Sequence, residues 1–240
     1  MANPTLKSLL AELAAAADPV RAKSSAWFFK TGKGQYGEGD QFLGIAVPVQ
    51  RKIALRHRHL PQAALQKLLT SKLHEHRTVA LEILVAQFEA ATPREQTAIY
   101  RFYLANTTYI NNWDLVDGSA PYIVGEYLLT RPRAILRKLA KSSNLWERRI
   151  AIVSTFAFIR AGQNTDTFAI AKMLLADKHD LIHKAVGWAL REAGKSAPAQ
   201  LVEFLQNHYD RLPRTALRYA IERFTPAERK RMLAGDFAGV

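Results

Sequence analysis

The chain has 240 residues and a mass of 27.0 kDa, and 48% of its residues are hydrophobic, which excludes an intrinsically disordered protein. It contains no cysteine, so disulfide bonds, thiolate metal sites and cysteine nucleophiles are excluded, a pattern that fits a reducing compartment. Since 34 Lys and Arg residues stand against 21 Asp and Glu residues, the formal net charge of +13 favours a polyanionic partner, nucleic acid first and an anionic membrane surface second.

The first predicted helix covers residues 4–18, where apolar residues recur at helical spacing until Pro19 ends the run. A second helical segment ends at residues 26–29, before a glycine-rich stretch at residues 31–40. That stretch matches neither the P-loop spacing nor the dinucleotide-binding fingerprint, and no strand pattern precedes it. It is therefore predicted to be a turn-rich connector.

Prolines mark the starts of the later helices. Pro48 suits the first turn of a helix that runs to about residue 59. The same arrangement precedes further apolar-periodic runs at Pro61, Pro93, Pro132, Pro198, Pro213 and Pro226. The predicted helices cover residues 61–71, 75–90, 93–105, 119–129, 133–140, 145–161, 165–176, 180–193 and 198–208. Because alternating strand patterns are almost absent, the chain is predicted to be all-α.

Short helices joined by short connectors, in pairs of roughly 40 residues, are typical of α-solenoids built from HEAT-like or armadillo repeats. No low-complexity segment or Pro/Ser-rich tract separates the halves, so one domain is predicted over residues 1–240. The longest uncharged apolar run, residues 150–159, is shorter than the roughly 18 residues of a membrane span. No signal-peptide pattern is present either, so a cytoplasmic protein without a membrane partner is expected.

Positive charge is concentrated in three parts of the sequence. Residues 131–160 contain eight Lys or Arg residues and one acid, Glu147, whereas residues 51–77 contain seven Lys or Arg residues and only Glu75. Arg214 and Arg218 lie four residues apart, with Arg211 nearby. Three such clusters along a solenoid predict contacts to a duplex backbone, and ordinary solvated helix faces are the alternative.

Four of the seven histidines form two pairs, His57 with His59 and His74 with His76. Residues two apart on a helix point to different faces and do not easily share one metal ion, so surface positions or phosphate contacts are expected instead. The sequence has no His-Glu-x-x-His pattern, and no metal site is predicted.

Three short stretches place tryptophans beside charged residues, at residues 113–117, 145–149 and 184–192. If the first is helical, Trp113 and Asp117 share one face because they are four residues apart, whereas Asp114 points elsewhere. Each stretch also has an ordinary explanation, since most buried tryptophans are core residues and an acid among basic residues is usually half of a structural ion pair.

With these stretches the chain resembles the AlkD-type DNA alkylation repair glycosylases of the HEAT-like repeat superfamily. The resemblance covers most of the chain and rests on five segments in the right order: residues 36–52 (YGEGDQFLGIAVPVQRK), 111–117 (NNWDLVD), 144–156 (NLWERRIAIVSTF), 182–195 (IHKAVGWALREAGK) and 213–224 (PRTALRYAIERF). It implies an all-α fold, an α-solenoid of HEAT-like helical repeats with a concave basic cleft.

The resemblance also implies site residues, because in that family two tryptophans, an aspartate and an arginine line the cleft against the damaged nucleotide. Carried over by motif, Trp113 and Trp188 match the aromatics, and Asp117 matches the catalytic carboxylate. Arg149 fits the spacing to Trp188 better than Arg148 does, but the doublet stays open. The residues predicted to bind DNA are Tyr36, Arg148, Lys184, Arg191, Arg214 and Arg218.

The implied activity is that of a monofunctional glycosylase. It would hydrolyse the N-glycosidic bond of cationic alkylated purines, such as 7-methylguanine and 3-methyladenine, in double-stranded DNA and leave an abasic site. A monomer that associates with the nucleoid when bound to DNA is expected, with no cofactor and no metal ion. Because the family's cleft is shallow, a deep base pocket is not expected.

Two other classes of function remain open. One is a non-catalytic HEAT-repeat protein that binds bent or branched DNA through charge and shape. The other is a protein-interaction solenoid in which the basic surface is incidental. Both DNA hypotheses predict a steep salt dependence of duplex binding, because several phosphate contacts release counterions, and the protein-interaction hypothesis does not.

Overall fold

The computed structural model describes residues 5–239, and the regular secondary structure there is helical. Within these residues no strand is present, and the only bridge of β type is a single parallel pairing between Gln41 and Leu73. The predicted all-α class is confirmed. No helix in the described part of the chain is long and apolar enough to cross a membrane.

The chain divides into two compact units, with the boundary between Ile123 and Val124. The single domain predicted over residues 1–240 stays a prediction. The helices of unit 1 are α1 (Leu6–Ala15), α2 (Pro19–Phe28), α3 (Val47–Arg56), α4 (Gln62–Leu69), α5 (His74–Ala90), α6 (Pro93–Ala105) and α7 (Trp113–Asp117), with a 3-10 turn at Thr107–Tyr109. A π-helix, Pro121–Gly125, spans the boundary.

The helix α5 forms the centre of unit 1. Helices α3 and α4 pack against it, and its Ile83 and Leu84 are almost completely buried. Its first turn is different in character, because His74, Glu75 and Arg77 are buried there as well. Buried polar groups require hydrogen-bond partners, so this turn is the place where charged side chains enter the core of unit 1.

Unit 2 is built around a long amphipathic helix. Its helices are α8 (Glu126–Leu128), α9 (Ala134–Ala140), α10 (Leu145–Val153), α11 (Thr155–Arg160), α12 (Thr165–Leu174), α13 (Asp180–Ala193), α14 (Pro198–His208), α15 (Arg214–Ala220) and α16 (Pro226–Leu233), with a 3-10 turn at Tyr209–Arg211. Helices α10, α12 and α15 all pack on α13. A Cβ atom added at Gly187 would lie 2.5 Å from the Ala216 carbonyl oxygen, so this glycine permits the close approach of α13 and α15.

Several helices begin with a proline, as the sequence analysis predicted. Proline lies in the first turn of α2, α3, α6, α14 and α16, where its missing N–H leaves no helical hydrogen bond unmade. Helices α6 and α16 also begin with capping boxes, in which Thr92 pairs with Glu95 and Thr225 with Glu228. The helix predicted over residues 4–18 is α1, and its proposed first residue, Pro4, lies outside the described residues.

Two predicted helices are interrupted. Residues 145–161 form α10 and α11 instead of one helix, with a break at Ser154, whose Oγ donates to the Ile150 carbonyl at 2.6 Å. Bonding of this kind to the preceding turn bends helices. Residues 119–129 contain the π-helix followed by α8. A Cβ atom at Gly125 would lie 2.3 Å from the Ser154 carbonyl oxygen, so the two irregular turns pack closely.

Candidate active site

Helix α7 carries two of the predicted catalytic residues. Its N-cap is Asn112, whose Oδ1 atom accepts a hydrogen bond from the backbone N–H of Trp113 at 2.8 Å. Trp113 and Asp117 are the first and last residues of this helix, and both are partly buried. Because residues four apart lie on the same face of a helix, Trp113 and Asp117 share one face of α7.

An aromatic cluster supports the Trp113 ring from within unit 1. The ring stacks on Phe29, with centroids 5.5 Å apart and planes inclined by 25°, and Phe28 meets it edge-on. On the other side of the cluster, the His74 ring lies 4.9 Å from the Phe29 centroid and 4.8 Å from that of Phe42. Trp113 is therefore linked through one phenyl ring to a buried imidazole.

That imidazole belongs to a buried charge network. His74 Nε2 lies 2.7 Å from Asp114 Oδ2, and its Nδ1 lies 3.2 Å from Asp40 Oδ2. The Arg77 Nη2 atom is 2.7 Å from the other oxygen of Asp40. The side chains of His74, Asp40 and Arg77 are each at most 5% exposed, and that of Asp114 is 24% exposed. Asp114 leaves the Trp113 face, as predicted, but it points into the protein.

The network shifts the pKa values of His74 and Asp40. Burial alone would lower the pKa of His74, but the hydrogen bonds to Asp114 and Asp40 outweigh it and raise the pKa to about 9. Burial likewise would raise the pKa of Asp40, but the hydrogen bond from His74 and the charge of Arg77 outweigh it and lower the pKa. At neutral pH His74 is therefore an imidazolium that donates both N–H groups to carboxylates.

The glycine-rich stretch is a connector, as predicted, and it also delivers Asp40 to the network. The residues that follow this stretch are held by Glu75, whose carboxylate accepts hydrogen bonds from the backbone N–H groups of Leu43, Gly44 and Ile45. Gly44 has a φ of +79°, and a Cβ atom there would lie 2.1 Å from the Asp18 carbonyl oxygen. Tyr36 is partly buried in the same connector.

Trp188 occupies α13 in unit 2, directly after Gly187. Its ring is partly buried and lies 4.2 Å, centroid to centroid, from that of Phe156 on α11. The planes are inclined by 49°, so the contact is tilted. Close packing of α13 on α15 at Gly187 and the Phe156 contact together determine where this aromatic face lies within unit 2.

The arginine doublet on α10 has two distinct environments. Arg148 Nε donates to Asp177 at 2.5 Å, and its Nη1 donates to the carbonyls of Ser142 and Ser143. Arg149 is 5% exposed, and its Nη1 donates to the Leu181 carbonyl at 2.6 Å, which ties α10 to α13. Arg148 therefore forms an ion pair with a buried carboxylate, which the sequence analysis did not predict.

The other predicted DNA-binding residues lie on α13 and α15. Lys184 Nζ forms an ion pair with Asp180 at 2.8 Å, and Arg191 pairs with Glu192 and Glu222. Arg214 is exposed and donates to the Leu233 carbonyl at 2.5 Å. Arg218 is also exposed. An open cavity of about 560 Å³ is lined by Arg191, Arg218, Tyr219, Glu222 and Arg229.

Acids from other elements neutralise part of the basic clusters at residues 51–77 and 131–160, which a count along the sequence does not reveal. The ion pairs are Arg51–Glu82, Arg56–Glu12, Arg77–Asp40, Arg133–Asp166, Arg148–Asp177 and Arg160–Glu126. Arg77 is only 4% exposed, so its assignment to a basic surface was wrong. Its actual role is to neutralise Asp40 in the core of unit 1.

The surface positions expected for the histidines were wrong for two of them. His57 and His74 are 2% and 3% exposed. His57 Nε2 lies 2.9 Å from Glu12 Oε1, so each buried ring has a carboxylate partner. Spacing along one helix cannot reveal partners that come from distant segments, which is why both were missed. Among the described residues, no group of three or more histidine or acidic side chains suits a metal ion.

Comparison with known proteins gives one family and a structural neighbour. The model of the family described as DNA alkylation repair enzyme matches residues 9–224. Among solved structures, the chain is similar to a predicted DNA alkylation repair enzyme from Enterococcus faecalis, with 18% sequence identity and a TM-score of 0.69. The similarity covers 88% of this chain and 97% of the other, and at this identity it concerns the fold alone. No curated protein sequence matches the chain.

Proposed function

The chain belongs to the DNA alkylation repair enzyme family, and we propose that it is a monofunctional DNA glycosylase. Family membership makes DNA the substrate and DNA repair the role. The proposed reaction is hydrolysis of the N-glycosidic bond of cationic alkylated purines, 7-methylguanine and 3-methyladenine, in double-stranded DNA. Its products are the free base and an abasic site. We further propose a monomeric, cytoplasmic protein that associates with the nucleoid when it binds DNA.

One observation carries this proposal: the tryptophan ring and a carboxylate lie one helical turn apart on α7, on a helix whose other acid is held inside the protein. Trp113 and Asp117 share a face, whereas Asp114 is bound to buried His74. The two carboxylates of α7 therefore have separate tasks. Asp117 is the carboxylate on the same face of α7 as Trp113.

The reaction requires charge stabilisation more than proton transfer. Alkylation at N7 of guanine or N3 of adenine leaves a cationic base, which departs without being protonated. Positive charge then develops on the sugar, which becomes oxocarbenium-like. A carboxylate near C1′ stabilises that charge and orients the attacking water, as the second carboxylate of glycoside hydrolases does. We assign this role to Asp117.

The histidine near the proposed site supports a mechanism without a general acid. Both ring nitrogens of His74 are hydrogen-bonded to carboxylates, and the ring is 3% exposed. A general acid must reach the proton acceptor within hydrogen-bond distance, and His74 is not available for that. A cationic leaving group, which needs no proton, suits a site of this kind.

The remaining residues are assigned to binding. In unit 1 the electron-rich face of Trp113 is proposed to pack against the cationic nucleotide, contributing on the order of 0.5 to 2 kcal/mol. In unit 2 Trp188 is proposed, by its motif, as an aromatic contact to DNA. Of the arginine doublet, Arg148 pairs with Asp177, and Arg149 is 5% exposed and donates to the Leu181 carbonyl. Arg149 is proposed as the phosphate contact on its motif spacing alone. Tyr36, Lys184, Arg191, Arg214 and Arg218 are proposed to contact DNA, chiefly its backbone.

The test is to incubate the protein with methylated duplex DNA and identify released bases by chromatography, with unmethylated duplex as the control. Release of 7-methylguanine and 3-methyladenine, with abasic sites left in the strand, is the expected result. Salt-sensitive binding to the same duplex without any base release would instead identify a non-catalytic DNA-binding protein.

A further inference from the structure

The buried network around His74 is connected to the start of the proposed catalytic helix by two side chains. Asp114 of α7 is hydrogen-bonded to His74 directly. Asn112, the N-cap of α7, is completely buried, and its Nδ2 lies 3.5 Å from Asp40 Oδ2. The start of α7 is thus anchored by two side chains, both on one ion network.

A helix of one turn needs such anchors. Forming the first turn of a helix is unfavourable, and short helices are stable only through tertiary contacts. In α7 the buried side chains are Leu115 and Val116, which hold the helix against the core. Apolar contacts are non-directional, so they do not by themselves fix the rotation of the helix about its axis. The directional hydrogen bond that His74 Nε2 donates to Asp114 supplies that constraint.

The same imidazolium also supports the Trp113 ring. The His74 ring makes a tilted contact with Phe29, with centroids 4.9 Å apart, and Phe29 stacks on Trp113, with centroids 5.5 Å apart. Displacement of His74 would therefore act on α7 along two routes, through the Asp114 carboxylate and through the phenyl ring. Both routes end at the face that carries Trp113 and Asp117.

We propose that His74 is a positioning residue for the glycosylase reaction: its hydrogen bond to Asp114 and its ring contact with Phe29 set the rotation of α7, and hence the placement of Trp113 and Asp117. Asp40 and Arg77 serve this role by holding the other edge of the imidazole. The inference rests on the proposed function for its catalytic consequence. The structural part, that His74 determines the orientation of Trp113, stands independently.

Unit 1 contains a matched control. His57 is equally buried, and its Nε2 is 2.9 Å from Glu12 Oε1, so it is a second histidine–carboxylate pair of the same chemistry. It joins α3 to α1 and takes no part in the network around Asp114. A substitution there measures what the loss of a buried histidine pair does to the protein in general.

The experiment compares His74→Gln and Asp114→Asn with His57→Gln. Single-turnover excision of 7-methylguanine from a duplex is measured under saturating protein, together with duplex affinity and thermal stability. We expect the first two variants to lose roughly 10- to 100-fold in rate, because displacement of about 1 Å at reacting groups is sufficient for such losses, while affinity is nearly unchanged. His57→Gln should lower Tm and leave the rate per folded molecule unchanged.

A second readout needs no activity. The indole N–H resonance of Trp113, assigned with Trp113→Phe, should shift in His74→Gln and stay in place in His57→Gln. Asp114→Asn serves as the test variant if His74→Gln does not fold. Wild-type rates in both network variants, equal rate losses in all three variants, or an unmoved Trp113 resonance would each overturn the positioning role. If the wild-type protein releases no base at all, the proposed function fails, and the resonance alone decides the positioning role.

Discussion

The Nε2 atom of His74 lies 2.7 Å from the Oδ2 atom of Asp114, which joins the first turn of α5 to the first turn of α7. This contact gives the two acids of α7 different tasks. Asp114 is bound inward to an imidazolium, and Asp117 follows on the face of Trp113. Replacement of Asp114 is therefore not a neutral control for replacement of Asp117, although the two residues are only three positions apart.

The His74 network predicts a loss of stability at alkaline pH. The pKa of His74 is raised from 6.5 to about 9 in the folded protein, so the imidazolium contributes stability fully below pH 6.5. That contribution is lost as the pH rises through 9, and the free energy of unfolding should fall by up to about 3 kcal/mol over this window. The charged groups facing the ring are Asp40, Asp114 and Arg77.

Urea unfolding from pH 6.5 to 9.5 measures this effect. In His74→Gln the curve of unfolding free energy against pH should be flatter by the His74 contribution. Equal slopes for wild type and variant would show that His74 does not carry a raised pKa in the folded protein.

Gly187 should not tolerate a side chain. A Cβ atom there would lie 2.5 Å both from the Ala216 carbonyl oxygen and from Tyr219 Cβ, so Gly187→Ala forces α13 and α15 apart. The expected loss is about 1 to 3 kcal/mol, despite the better helix propensity of alanine. Chemical denaturation checks it. Lys184→Ala on the same helix removes a partly exposed ion pair with Asp180 and should cost less than about 1 kcal/mol.

Arg148→Ala and Arg149→Ala should have different effects on DNA binding. Arg148→Ala leaves Asp177, which is 5% exposed, without its ion-pair partner and should destabilise the protein by roughly 3 kcal/mol. Arg149→Ala also removes a buried hydrogen bond to the Leu181 carbonyl and should lower stability, but in addition it should weaken binding to methylated and unmethylated duplex alike and reduce the salt slope by about one, because one phosphate contact is lost. Binding titrations at several salt concentrations, below the Tm of each variant, measure the affinity and the salt slope for both variants. A reduced slope in Arg148→Ala alone would reverse the assignment.

Local sequence chemistry was sufficient to predict the helices. Apolar periodicity and prolines identified α5, α6, α13 and α14 to within about a residue at each end, because capping and helical spacing act over a few positions. The break at Ser154 was missed. There Ser154 Oγ donates to the Ile150 carbonyl and the Ser154 carbonyl packs against Gly125, and the uncharged apolar run of residues 150–159 indicates neither contact.

The candidate site was predicted only in part, for the same reason. The one-turn spacing of Trp113 and Asp117 is a local property, and helix α7 has it. The partners of His74 come from residues 40 and 114, and helical spacing around residue 74 carries no information about them. Charge counts along the chain failed for Arg77 and Arg148 in a similar way, since their carboxylate partners lie on other elements.

Lesion charge tests the mechanism. If the site uses the positive charge of the damaged base and does not protonate it, 7-methylguanine and 3-methyladenine should be released, and neutral hypoxanthine and 1,N6-ethenoadenine should not. The buried position of His74, with both nitrogens bound, removes the nearest histidine as a proton donor. Chromatography of bases released from duplexes with each lesion makes the comparison. Efficient release of a neutral base would mean that a general acid acts in this site.

The most direct measurement is the single-turnover rate of 7-methylguanine excision by Asp117→Asn, with duplex affinity measured in parallel. Glu89→Gln, which removes an exposed carboxylate from α5, is the control for loss of one negative charge. If Asp117 stabilises the sugar cation, its replacement should slow excision by roughly 100- to 1000-fold, while affinity stays the same or rises slightly. An Asp117→Asn protein that excises 7-methylguanine at the wild-type rate would contradict the assignment of Asp117 as the catalytic carboxylate.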